Sequence, residues 1–196
     1  KTLEEAGGPV PFDGAEGVTY LKLQPTEPVA LERFLTVLTP RRASETAANT
    51  VQGITGPNML GVRISAGDVE DLVLFGLDEP EVNAEGVQGI GRTCTVRRQS
   101  GRILGGALQN GQRLSIDGTV LFEADGSGNA VVTLGEDTVE AVLDLYDGTG
   151  FAIHVPRKPK QVWLDGRVCK DFEYSPDDQC IHFDRRRVKE ARILLK

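Results

Sequence analysis

Apolar and polar residues alternate with period two along most of this chain. The alternation runs through residues 18–23, 32–38 (closed by Thr39-Pro40), 60–64, 94–98, 102–108, 113–116, 119–123, 130–134, 151–155 and 191–195. Shorter runs at 161–164, 172–174 and 181–183 follow the same rule. A strand exposes one face, so period two predicts half-buried strands. Residues 71–76 are nearly all apolar, as expected for a strand covered on both faces. Residues 139–146 read either as a strand or as a short helix closed by Asp147-Gly148, and 43–52 offer the best stretch for a helical or irregular excursion.

Turn chemistry separates nearly every pair of runs. Ala66-Gly67-Asp68, Gln99-Ser100-Gly101, Gln109-Asn110-Gly111, Asp117-Gly118, residues 125–129, Asp165-Gly166 and Ser175-Pro176-Asp177-Asp178 all carry residues that tolerate positive φ or start a turn. Asn-Gly and Asp-Gly between apolar runs predict tight hairpins. The fold class expected is therefore all-β, an antiparallel β-sandwich of about a dozen short strands. No Pro/Ser-rich linker interrupts the pattern, so residues 1–196 are expected to form a single domain, with a weaker boundary at 156–159. The chain opens at Lys1 without a methionine, and it is expected to be excised from a larger multidomain protein.

Composition narrows the partners. The 196 residues carry a net charge of −7, which leaves no basic surplus for phosphate contacts, so nucleic acid is not expected as a partner. The basic run Arg185-Arg186-Arg187 is local and reads as a solvated strand end or as a patch for an acidic polymer. No apolar run approaches the roughly 18 residues of a membrane span, and no membrane contact is expected. The three cysteines, Cys94, Cys169 and Cys180, include no CxxC pair. Cys169 and Cys180 fall on what reads as two adjacent strands, which leaves both a disulfide and separate thiols open.

Few residues carry candidate chemistry. The only histidines, His154 and His182, lie inside alternating strands, where a side chain is solvated, half-buried or turned into a cleft. Zinc spacings and a GxSxG elbow are absent, and neither metal nor cofactor is expected. Residues 86–91 are glycine-rich but lack the order of a dinucleotide loop and a following helix, and they read as a loop. The adjacent carboxylates Glu70-Asp71, Glu136-Asp137 and Asp177-Asp178 point to opposite faces if on strands, so none is a catalytic pair by itself. Trp163 is the only tryptophan in a chain with 6% aromatic residues. It reads as core or as a platform for a sugar ring.

The apolar blocks at 34–40 and 71–75, followed by the turn-rich stretch from Arg97-Arg98-Gln99-Ser100-Gly101 to 117–122, resemble in order the C-terminal β-rich region of the heparinase II/III-like polysaccharide lyases. The closing hairpins at 161–166 and 172–174 also resemble those of sandwich domains attached to carbohydrate-active enzymes. The resemblance implies a secreted or periplasmic location and a non-catalytic domain of a uronate-polymer lyase. That domain supports the catalytic domain, its partner in the parent chain, and forms one wall of its cleft, in contact with acidic polysaccharide. Family catalytic residues lie mainly in a helical toroid that this chain lacks. On the sheet side, the resemblance leaves His154 as the catalytic candidate and Arg97 and Arg98 as uronate contacts, and the platform reading of Trp163 makes it a further substrate-binding candidate. An independent carbohydrate- or protein-binding module and a structural domain of a surface assembly are the alternatives.

Overall fold

A computed structural model describes residues 2–7, 19–24, 49–78, 80–146, 149–184 and 187–195. The chain divides into two compact units, Lys1–Leu38 and Thr39–Lys196. In the first, β1 (Thr2–Gly7) pairs antiparallel with β2 (Thr19–Gln24), from Thr2 opposite Gln24 to Gly7 opposite Thr19. The strand expected at 32–38, the first part of the 43–52 excursion, the Asp147-Gly148 turn and Arg185-Arg186 lie outside the described residues. The end of that excursion belongs to a strand, β3 (Thr50–Gly56).

The second unit is all-β and antiparallel, as the alternation predicts, and no helix occurs among its described residues. After β3 come β4 (Met59–Ala66), β5 (Val69–Gly76), β6 (Glu81–Ala84), β7 (Val87–Ile90), β8 (Thr93–Gln99), β9 (Arg102–Ile116) and β10 (Thr119–Leu134). They are followed by β11 (Thr138–Leu145), β12 (Phe151–His154), β13 (Gln161–Leu164), β14 (Arg167–Cys169), β15 (Glu173–Ser175), β16 (Cys180–Phe183) and β17 (Glu190–Leu194). The strands outnumber the dozen that the pattern resolves, and β9 and β10 are long, at 15 and 16 residues.

These two long strands make the sandwich. The first part of β9 pairs with β8 and its end pairs with β7. The start of β10 pairs with β12 and its end with β11. Both strands therefore leave one layer and enter the other. The long layer runs β14-β13-β17-β11-β10-β9-β8-β5-β4-β3, and the short layer runs β6-β7-β9-β10-β12-β16-β15.

The corner corrects two expected hairpin turns. Asn110-Gly111 and residues 125–129 lie within β9 and β10, with Gly111 opposite Gly128. The same residue types serve a different need here. Asn110 takes a φ of 47° and donates its N–H to Asn129 Oδ1 at 3.0 Å. A Cβ on Gly111 would land on the Ile90 carbonyl oxygen and 2.6 Å from Gly91 Cα. A bend in two adjacent strands brings backbones together, and glycine permits the approach. The turns at Ser100-Gly101, Asp117-Gly118 and Asp165-Gly166 do form, each with positive φ at both residues, as a type I′ hairpin needs.

The 86–91 stretch is not a loop. Glu85-Gly86 turns the chain, and Val87–Ile90 is β7 with Val87 fully buried. Gly89 faces inward, where a Cβ would strike the Cys94 sulfur. Glycine there lets the two layers close on each other. The 139–146 stretch is a strand up to Leu145, the end of β11. The core between the layers is apolar, with Leu72, Leu74, Cys94 and Val96 of the long layer against Val87, Leu114, Phe122, Ile153 and Ile181 of the short one. Phe151 and Phe183 stack with ring centroids 4.7 Å apart.

Candidate functional site

Strand parity sorts the candidate residues onto three surfaces. Arg97 and Trp163 share the outer face of the long layer. Arg98 points to the inner side at the edge of the core, and His154 lies on the outer face of the short layer.

Arg98 is a structural tie. Its side chain is only 14% exposed and reaches Asp117 at 3.1 Å and Glu70 at 3.5 Å, with the Glu85 carbonyl at 3.4 Å. Arg63 extends the network to Glu70 at 3.3 Å and to Glu85. Glu85 and Asp117 sit at hairpin turns of the short layer, while Arg63, Glu70 and Arg98 are on the long one. The network fastens the two layers at one end. A guanidinium so engaged has little left to offer a uronate.

Arg97 is 61% exposed and its Nε and Nη2 donate to the two Asp71 oxygens at 2.7 and 2.8 Å. That bidentate bond raises its pKa and fixes the plane of its guanidinium. The bulge beside it, where Arg97 faces Gly105 and Arg98 faces Ile103, leaves Leu104 unpaired. Strand alternation on β8 sends the two arginines to opposite faces, Arg97 to Asp71 and Arg98 to Glu70.

Trp163 is not core. It alternates with buried Val162 and Leu164, so it points to the outer face, where it is half-buried opposite Arg192 and Val168. The register places it in one line with Arg97. Reading across the strands, Ile64, Asp71, Arg97, Gly105, Thr133, Glu140, Arg192, Trp163 and Val168 are successive Cα partners. Five strand spacings separate Arg97 from Trp163, about 24 Å. Two residues along each strand lies a second line, Val73, Thr95, Ala107, Val131 and Val142. Val131 and Val142 are 48% and 59% exposed.

Two clefts follow these lines. One of about 600 Å³ holds Asp71, Thr95, Arg97, Gly105, Val131 and Thr133. The other, about 590 Å³, holds Glu140, Val142, Trp163, Gly166, Glu190 and Arg192. Their linings adjoin where Val131 faces Val142 and Thr133 faces Glu140. A Cβ on Gly166 would meet nothing within 4 Å, whereas one on Gly105 would strike the Val132 backbone, so Gly105 serves the approach of β9 to β10. The surface can offer an apolar strip and an aromatic ring together with hydrogen-bonding groups, of which Arg97 and Asp71 are held in place by their bidentate pair.

His154 is 7% exposed, and its Nδ1 has no hydrogen-bond partner. Burial lowers its pKa, against the opposing pull of Asp178 and the Gln179 backbone, and keeps the ring neutral. Cys180 faces it across the β12–β16 pair, with its thiol pushed up to about 12 by burial and by the charges of Asp178 and Glu123. His182 lies two residues on and reaches Asp178 at 3.0 Å. This arrangement favours a neutral imidazole and a protonated thiol, which makes a poor nucleophile pair. Among the described residues, no three His, Cys, Asp or Glu side chains converge as a metal site would require.

The disulfide left open by the sequence is not formed. Cys169 pairs across to Val162 at the end of the long layer, whereas Cys180 pairs with His154 in the short layer. Sequence reasoning found Arg97 and Trp163 and placed Arg192 near the basic run at 185–187, but missed Glu140 and Val142; all three form the cleft with Trp163. Alternation marks each as outward; only the register shows them adjacent.

The fold and this face define an antiparallel β-sandwich with an open, partly apolar sheet surface. The sequence matches no protein-family model and no curated protein.

Proposed function

We propose that this chain is a non-catalytic accessory domain of a polysaccharide-degrading enzyme. In the parent protein it packs beside the catalytic domain, and the outer face of its long layer forms a wall of the cleft. The reading rests on the resemblance to the β-rich region of heparinase II/III-like lyases, and the uronate-lyase character of the parent is part of the proposal. The single observation that carries it is the line from Arg97 to Trp163 beside an exposed apolar strip. The buried neutral His154 and the engaged Arg98 support a supporting rather than a catalytic role.

The test is to incubate the isolated chain with alginate, heparin-like and neutral polysaccharides. No unsaturated uronate should appear in the ultraviolet absorbance, and binding should be weak, about millimolar. Elimination activity in the isolated chain would overturn the accessory role. Micromolar binding would support a second reading, an independent carbohydrate-binding module, which the outward Trp163 already favours over a purely structural domain.

A further inference from the structure

We infer that the two adjoining clefts on the outer face of the long layer hold an uncharged stretch of a glycan chain, laid across the strands with one sugar ring against Trp163. The inference rests on the proposed role of this face and specifies the sugar it takes.

The length of the surface favours a chain. The clefts adjoin between β10 and β11, and from Arg97 to Trp163 they span about 24 Å. A single sugar would fill only part of that distance. The chemistry favours a sugar. A pyranose has apolar C–H faces and a hydroxyl-bearing rim. Trp163, Val142, Val131 and Ala107 meet the first need, with an aromatic ring where stacking contributes most. Thr133 and the ion-paired side chains meet the second. The bidentate Arg97–Asp71 pair fixes both groups and keeps lone pairs and N–H groups unspent for hydroxyls.

Charge decides between a neutral and an acidic chain. Both arginines on the line already face a carboxylate of this protein. Arg97 holds Asp71 in a bidentate bond, and Arg192 Nε lies 3.6 Å from Glu140 Oε1. Glu190, in the same cleft, adds a further negative charge. A uronate would have to displace Asp71 or Glu140, or sit beside them as a like charge. The net charge of −7 gives an acidic polymer no long-range attraction to offset this. A parent that cleaves at uronates would hold the uncharged units of its polymer here.

Trp163 is the only tryptophan, so its fluorescence reports on this site directly. The full chain is titrated with neutral gluco-, manno- and xylo-hexasaccharides and with hexa-uronates of similar length. At least one neutral series should shift the emission saturably, with affinity at least about tenfold above every uronate. Trp163→Ala should abolish binding measured by affinity electrophoresis. Val142→Glu, at a solvent-facing position that folding does not need, should weaken it about tenfold or more with unchanged circular dichroism. Uronates that bind through Trp163 as tightly as the neutral sugars would overturn the charge argument and leave the role of the face intact. If no saccharide of either kind disturbs Trp163, the role of the face fails as well.

Discussion

Replacing Gly111 and Gly118 by asparagine separates two accounts of the β9–β10 region. Read from sequence, Asn110-Gly111 and Asp117-Gly118 are equivalent hairpin turns, and asparagine should be tolerated equally at both. In the fold they differ. Gly118 has a φ of 81° and open space around it, since a Cβ there meets nothing within 4 Å. Asparagine adopts that conformation more readily than other residues, so Gly118→Asn should cost no more than about 1 kcal/mol. Gly111 is buried at the corner, and its φ is not in the left-handed region. A Cβ there meets the Ile90 carbonyl oxygen, Gly91 Cα at 2.6 Å and Leu108 Cδ1 at 2.8 Å. Two of these are backbone atoms that cannot rotate away. Overpacking costs about 1–3 kcal/mol and a poorly bonded buried amide a similar amount, so Gly111→Asn should cost about 3 kcal/mol or more. Urea unfolding followed by circular dichroism measures both. With a slope of about 2 kcal/mol/M, the midpoint should fall by about 1.5 M for Gly111→Asn and by about 0.5 M or less for Gly118→Asn. Equal midpoints for the two variants would refute the corner and restore a surface turn at Asn110-Gly111.

Further outcomes follow from the ion pairs and the buried groups. Arg98→Ala should lower stability by about 1–2 kcal/mol, because it removes the largely buried guanidinium that ties Glu70 of one layer to Asp117 of the other, whereas exposed Arg97→Ala should change it by less than about 1 kcal/mol; denaturant midpoints of the two variants check this. His154 has a folded pKa below its ordinary 6.5, so the unfolded chain takes up its proton first. Stability should hold above about pH 6.5 and fall as the pH drops from there towards the folded pKa, by at most about 1.4 kcal/mol per pH unit, and His154→Leu should flatten that slope in pH-dependent melting curves. Asp68 and Asp178, both held below the usual 3.8, should add their own losses only below that value. Cys94 and Cys180, whose thiols are pushed up to about 12, should resist an aromatic disulfide reagent in the folded chain and react on unfolding in urea.

Alternation alone determined much of this protein. The outward and inward sides of β8 and β17 can be read from 93–99 and 190–194, because a strand turns each successive side chain to the opposite face. That rule also foretold that Glu70 and Asp71 would part, one to the layer junction and one to the outer face. Type I′ turns at Asp117-Gly118 and Asp165-Gly166 were equally legible, since their positive φ values are a local demand on residue type. Local demand is not unique to turns, and this is why Asn110-Gly111 and 125–129 misled. A bend in paired strands also needs glycine and asparagine, and nothing within a few residues distinguishes the two uses.

Tertiary structure alone decided what stands beside what. The alignment of Arg97 with Trp163 depends on the registers of six strands, and a slip of one residue in any of them would break it. The same pairing order sent Cys169 and Cys180 to different layers and Arg98 into the junction. Because its run is apolar, the sequence leaves Trp163 open between core and platform. It faces outward because its neighbours Val162 and Leu164 are the ones the core claims, and that parity is set by pairing with β17. Sequence specifies which side of a strand a residue occupies; the hydrogen-bonded register, a long-range property of the whole sheet, specifies the surface it helps to build.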